Sequence, residues 1–250
     1  MSPEVTTASE RSDRAAETRA RILDAALQEF SAHGLAGART EQIASIAGVN
    51  KALLYYYFDS KENLYLAALE MIAAKIRDRT MAVFLRDTSP GERLLRSALE
   101  HFDRILTQHE FQAMMQQELI RMHKGESGAM PILVKRVFGP AMTMYQALVR
   151  EGIESGELIH ADWLQMQLAS IGANVFYFLS APVWRIIHDN DPFTPEALDQ
   201  RRRAVVEFLG QAIFADRQRG ADTAARVLAD SPMPEVNLDR LPYRRKDERA

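Results

Sequence analysis

The sequence predicts an all-α fold on three observations: apolar residues recur at spacings of three and four, β-branched alternation is scarce, and prolines stand at the starts or ends of the periodic segments. At 250 residues, 47% of them hydrophobic, the chain exceeds one average domain and suits a small domain followed by a larger one.

The elements follow in order. MSPEVTTASERSDRAAETRA, the first twenty residues, lacks the apolar run of a signal peptide and reads as a flexible arm over residues 1–13 that enters a helix. That helix is expected over 14–33, burying Ile22, Leu23, Ala26, Leu27 and Phe30, with Gly34 as its stop. Thr40 is expected to cap a second short helix, whose Ile43, Ala44 and Ala47 form a small apolar face, with Ile46 joining the core. Gly48 can take the left-handed conformation that ends this helix. Asn50 then caps a third helix through Phe58, in which Leu54 and Phe58 lie four apart on the inward face.

A fourth helix is expected from about Lys61 to Leu85. Ser89-Pro90-Gly91-Glu92 supplies a capping box for a fifth, with its stripe of Leu94, Leu95, Ala98, Leu99, Phe102 and Leu106. Another helix covers about 110–123. The loop KGESGAMP at 124–131 precedes a long helix ending near Ser155-Gly156. Two more long helices follow, over about 162–181 with Pro182 closing the first, and over 196–214 after the Thr194 cap. The tail, 231–250, is rich in Pro and charge and is expected to be disordered or loosely docked.

Composition excludes several classes. No cysteine is present, so disulfides, thiolate catalysis and Cys-based zinc sites are ruled out. The histidines at 101, 109, 123, 160 and 188 are scattered, with no HExxH, no Gly-rich phosphate loop and no GxSxG elbow, so no catalytic, metal or cofactor site is assigned. From Trp163 to Trp184 no residue is charged, a length close to that of a spanning helix, but Gln165, Gln167, Ser170, Asn174 and Ser180 interrupt it and no membrane association is expected.

The stretch TEQIASIAGVNKALLYYYF, 40–58, therefore reads as two short helices around a glycine turn, and the second leaves Lys51, Ala52, Tyr55 and Tyr56 on its outer face. Two adjacent tyrosines beside a lysine on a solvent face call for a partner, and the layout is that of a DNA-reading helix-turn-helix. The formal charge of −3 is not that of a strongly basic binder. Residues 1–61 carry seven basic side chains (Arg11, Arg14, Arg19, Arg21, Arg39, Lys51, Lys61) against eight acids, but no acid falls between Asn50 and Phe58. Shallow long-range steering and marked salt sensitivity are expected.

VNKALLYYYFDSKENL, 49–64, together with the first helix ARILDAALQEFSAHG, resembles the TetR family of bacterial transcriptional regulators. The resemblance implies a three-helix DNA-binding domain over 14–60 and a larger helical effector-binding and dimerisation domain over 61–230. It implies contacts to double-stranded operator DNA from Arg39, Thr40, Asn50, Lys51, Ala52, Leu53, Tyr55, Tyr56, Tyr57 and Lys61. Lys51, Ala52, Leu53 and Tyr56 would meet base edges, and Thr40, Tyr55, Tyr57 and Lys61 would hold phosphates.

It further implies a cytoplasmic homodimer packed through the last two long helices. Here the small-residue patch Ala169, Gly172 and Ala173 and the stripe Val205, Val206, Leu209 and Ile213 are the interface candidates. A small-molecule effector, of unknown identity, would sit among the middle helices, with Phe102, Phe111, Met114, Met115, Glu118, Met122, Met142, Tyr145, Phe176 and Trp184 as candidates. The function so implied is a ligand-released repressor. A helical interaction adaptor, or an enzyme without a recognisable active-site motif, is the alternative.

Overall fold

The computed structural model describes residues 8–126, 128–188 and 191–236, and among these the fold is helical throughout, with one isolated antiparallel bridge between Leu158 and Phe214. The helices are α1 (Ala8–Gly37), α2 (Thr40–Ala47), α3 (Lys51–Phe58), α4 (Lys61–Phe84), α5 (Pro90–Thr107), α6 (His109–His123), α7 (Met130–Leu133), α8 (Gly139–Glu154), α9 (Trp163–His188), α10 (Pro195–Ile213) and α11 (Arg217–Asp230).

Several differ from the sequence expectation for local reasons. Residues 8–13 of the expected arm already belong to α1; residues 1–7 lie outside the described residues. Gly34 does break helical geometry (φ 67°, ψ 174°), but helical residues continue beyond it to Gly37. The expected long helix before Ser155 is divided into α7, a π-helical turn over Val134–Phe138, and α8. Pro140 explains the widened turn, since it has no N–H to donate and its ring crowds the carbonyl four residues back. Pro182 does not end α9, which runs on to His188. Beyond it Trp184 Nε1 donates to Ser180 Oγ (2.8 Å), and Arg185 is clamped by Asp191 (2.7 Å). No helix among the described residues is long and apolar enough to cross a membrane.

The chain forms two compact units. The first comprises Met1–Ile76 and Glu110–Lys135, the second Arg77–His109 and Arg136–Ala250. The division thus falls inside α4 rather than at 60/61, and α6 joins the first unit. In that unit Ile22, Leu23, Ala26 and Phe30 of α1 are buried with Ile43, Leu54 and Phe58, as the spacing predicts, whereas Ile46 is exposed. Phe30 meets Tyr65 of α4 edge-on, with centroids 5.0 Å apart. Glu118 of α6, 1% exposed, accepts from Tyr65 Oη (2.9 Å), Arg121 Nη1 (2.7 Å) and the Ala129 N–H (2.6 Å). A carboxylate this deep is stable only with such a set of donors.

The second unit has an apolar core in which Leu94, Leu95, Leu99, Tyr145, Leu148, Val206, Leu209, Phe214 and Val227 pack together. Two buried ion-pair systems stitch its helices. Glu92 takes Arg96 (2.8 Å) and Arg226 (3.0 Å), and Arg202, 2% exposed, grips Asp103 through two bonds of 2.7 and 2.9 Å. Arg202 also donates to the Ser231 carbonyl (2.9 Å), and Met233 and Val236 pack on a second core cluster. The start of the tail is therefore docked; residues 237–250, including the basic run at 244–246, lie outside the described residues.

α11 was not foreseen from the sequence. Its apolar stripe is short, and it is held by a close crossing with α10 at Gly210 and Gly220, where a Cβ on Gly210 would stand 2.7 Å from the Gly220 carbonyl oxygen. Gly220→Ala is expected to lower unfolding stability by about 1–3 kcal/mol through overpacking. The urea midpoint should fall at unchanged slope; a midpoint equal to wild type would show that the crossing has slack.

Candidate functional site

The candidate interface is built by two eight-residue helices, too short to persist alone, so their ends and buried faces define them. At the start of α2 the N-cap is Arg39 rather than Thr40, and its side chain makes no capping bond. The cap is supplied from α1: Glu29, buried, accepts the Arg39 N–H at 3.0 Å. Thr40 is the first helical residue and is itself buried, its hydroxyl 3.4 Å from that of Tyr55.

At the other end Gly48 is left-handed (φ 66°, ψ 38°). Its N–H donates to Ser45 O (3.2 Å), and the Val49 N–H donates to Ala44 O (3.0 Å), which is a Schellman closure. Asn50 caps α3 by accepting the Leu53 N–H at 2.7 Å. Leu54 and Phe58 then turn inward, with Arg19 stacked over the Phe58 ring at 5.1 Å.

The outward face of α3 is Lys51, Ala52, Tyr55 and Tyr56, and Tyr56 is 82% exposed. Leu53 and Tyr57 are half-buried, Tyr57 meeting Tyr56 edge-on at 5.5 Å. Arg39 and Asn50 are exposed, while Lys61 donates to the Ala36 carbonyl at 3.2 Å. Lys51 is not bare: its ammonium donates to Glu41 of α2 at 2.5 Å and lies 5.8 Å from the centre of the Tyr55 ring. Their mutual hydrogen bond pushes the lysine pKa up and the Glu41 pKa down. Sequence reasoning missed Glu41 and Glu29; neither belongs to a motif, and both are brought to the site by helix packing.

Comparison with known proteins agrees with this geometry. Residues 22–68 match the description "Bacterial regulatory proteins, tetR family", and residues 90–209 match "Tetracyclin repressor-like, C-terminal domain". The chain is 30% identical over 146 residues, 58% of its own length and 68% of the relative's, to the HTH-type transcriptional repressor NicS of Pseudomonas putida. The chain belongs to the TetR family.

This TetR-family chain is also similar to the HTH-type transcriptional regulator RutR of Escherichia coli, 50% identical over 68 residues that make up 27% of this chain and 32% of RutR. That match thus spans about a third of RutR. Among solved structures, a TetR/AcrR-family regulator from Thermobifida fusca shares 26% identity over 75% of this chain and 95% of its own, at a TM-score of 0.53. A regulator from Saccharomonospora viridis, solved in complex with choline, superposes over 80% of this chain and all of its own at a TM-score of 0.63 and 19% identity, which shows the shared fold.

The effector candidates are divided between the two units. Phe111, Met114, Met115, Glu118 and Met122 lie on α6 in the first unit, where Met122 is exposed and both oxygens of Glu118 are already taken. Glu118 is thus not a free acceptor for a ligand. In the second unit Phe102 packs against Phe178 (5.2 Å) and Tyr145 against Phe84 (6.3 Å), Met142 is half-buried, and Phe176 and Trp184 are exposed. Phe176 and Trp184 line an open cleft of about 510 Å³ between α9 and α10, with Tyr177, Pro192 and Arg201.

The interface candidates separate as well. Ala169, Gly172 and Ala173 are exposed on α9, but Val205, Val206, Leu209 and Ile213 are buried in the chain's own core with residues of α5, α8 and α11. A stripe of period 3.6 marks a buried face without saying which neighbour buries it. The free face of α10 is instead marked by Phe208, 71% exposed, and that of α9 by Ile171, Phe176, Leu179, Val183 and Ile187.

Two outcomes are expected. Asn50→Ala should cost about 1 kcal/mol of stability in the first unit, read by chemical denaturation, because α3 loses its cap. His101, packed inside the second unit, has its pKa pushed from the ordinary 6.5 to about 3, chiefly by desolvation and then by Arg104. The unfolded chain therefore takes up this proton first. The stability contributed by neutral His101 is complete above pH 6.5 and lost as the pH falls toward 3. The melting temperature should drop between pH 7 and pH 4, and His101→Gln should flatten that part of the curve; an unchanged slope would assign it to other groups.

Proposed function

We propose that the protein is a cytoplasmic repressor that binds a near-palindromic operator as a homodimer and leaves it when a small-molecule effector occupies the second unit. It carries out no catalysis. The carrying observation is the outward face of α3, where Lys51, Ala52, Tyr55 and Tyr56 stand exposed on a helix fixed at both ends. The repressor reading is supported by the likeness to NicS.

In this reading Lys51, Ala52, Leu53 and Tyr56 face base edges in the major groove, with Lys51 exchanging Glu41 for a guanine edge and the small apolar side chains meeting thymine methyls. Tyr55, Tyr57, Arg39 and the N-terminus of α2 at Thr40 face phosphates and set the register. Lys61 contacts phosphate on releasing the Ala36 carbonyl. Residues 14–60 form the reading module, and the dimer face is the exposed side of α9 and α10, through Ala169, Gly172, Ala173 and Phe208. An effector acts by favouring a subunit arrangement in which the two α3 helices no longer match major grooves about 34 Å apart, with α4 as the lever.

Fluorescence anisotropy on the DNA flanking the protein's own gene tests this, at two salt concentrations. Wild type should bind specifically and lose affinity steeply with salt, and the Tyr55→Ala, Tyr56→Ala double variant should bind at least about tenfold more weakly while keeping its thermal stability. Equal affinity of wild type and variant for this DNA would refute the assignment of α3.

A further inference from the structure

α2 and α3 carry one cation and one carboxylate between them. Across residues 40–58 the charged side chains are Glu41 and Lys51, and the two are paired with each other. Lys51 Nζ donates to Glu41 Oε1 at 2.5 Å, from the first residue of α3 to the second of α2. The same ammonium lies 5.8 Å from the centre of the Tyr55 ring, and the Tyr55 hydroxyl is 3.4 Å from that of Thr40. Thr40, Tyr55, Lys51 and Glu41 thus form one polar chain over the junction of the two helices, with no net charge.

Helix electrostatics account for one half of the pair and oppose the other. Glu41 stands in the first turn of α2, where the helix dipole favours a carboxylate. Lys51 opens α3, where the dipole disfavours a cation, and no acid in the first turn of α3 offsets it. What holds the ammonium in place is therefore Glu41 and the ring of Tyr55. The hydrogen bond between them pushes the lysine pKa up and the carboxylate pKa down, so both groups stay charged near neutral pH. The Lys51 and Glu41 side chains are 48% and 66% exposed, so a competing acceptor can take the ammonium without reopening any buried contact.

We propose that Glu41 is a built-in competitor for DNA, occupying the ammonium that a guanine edge must take and holding affinity below the value that α3 would otherwise reach. The inference rests on the reading of α3 as the DNA-contacting helix. Binding exchanges one Lys51 bond for another, so the complex gains the difference between the two rather than a full contact. The released carboxylate, next in sequence to the phosphate-facing Thr40 of that reading, stays within the screening length of the phosphates, where like-charge repulsion works against the complex. The pair thereby acts as a brake on affinity. A weaker complex is released by an effector with a smaller preference between the two subunit arrangements.

The test is a double-variant cycle read by fluorescence anisotropy on the same flanking DNA, with wild type, Glu41→Gln, Lys51→Met and the double variant of the full-length protein. Glu41→Gln keeps the shape of the side chain and removes its charge, and should tighten specific binding by about fivefold. With Lys51→Met already present the same change should gain about twofold at most, the share due to repulsion from phosphate alone. A gain in affinity cannot arise from a lost fold, and both positions are exposed, so equal melting temperatures are expected. Equal gains in the two backgrounds would reduce Glu41 to a repulsive charge acting at a distance and overturn the competition. A weaker affinity of Glu41→Gln would overturn it as well, by making the carboxylate a contact in its own right. Specific binding by wild type that Glu41→Gln leaves unaltered would remove this inference alone, whereas no specific DNA binding by the folded wild type would remove the reading of α3 and this inference with it.

Discussion

The outward face of α3 depends on holding two eight-residue helices together. Neither helix is long enough to recover its nucleation cost from its own hydrogen bonds. Their order comes from outside. Glu29 of α1 satisfies the first free N–H of α2, the left-handed Gly48 closes its last carbonyls, and Asn50 starts α3 within two residues. Leu54 and Phe58 then bury one side of α3, with Arg19 of α1 over the Phe58 ring, which leaves the tyrosine side outward. A side chain at position 48 would have to adopt a strained left-handed conformation, and the reading face would shift with the turn.

The same logic, that a buried polar group dictates its surroundings, organises the rest of the first unit. Glu118 gathers a tyrosine from α4, an arginine from its own helix and a backbone N–H from the segment before α7. A ring of donors around one carboxylate specifies where α6 sits far more narrowly than apolar contact does, because a shift that breaks one bond leaves an uncompensated charge. Through Tyr65, which also packs on Phe30, that placement reaches the core beneath the reading helix. The second unit uses Arg202 and Glu92 in the same way.

The electrostatics of the reading face are restrained. Lys51 is neutralised by Glu41 across the two helices, and the whole chain is slightly acidic. An exposed pair of this kind adds little stability, and any acceptor that takes the lysine must replace the carboxylate.

The sequence by itself determined the helical fold, most helix ends and which side of α3 faces outward. These depend on local chemistry: a cap reaches three residues, a left-handed glycine acts where it stands, and period 3.6 declares an inward face. Ser89, Thr194, Asn50 and Gly48 each do what their local signal implies. Only the tertiary structure decided who buries each face. Val205, Val206, Leu209 and Ile213 carry the same stripe whether α10 packs on a partner or on α5, and the fold uses them internally, leaving Phe208 outside. Glu118 is spent on structure, Glu41 meets Lys51 ten positions away, and Asn174 meets His101 across 73, because long-range pairing depends on helix packing that no local pattern encodes.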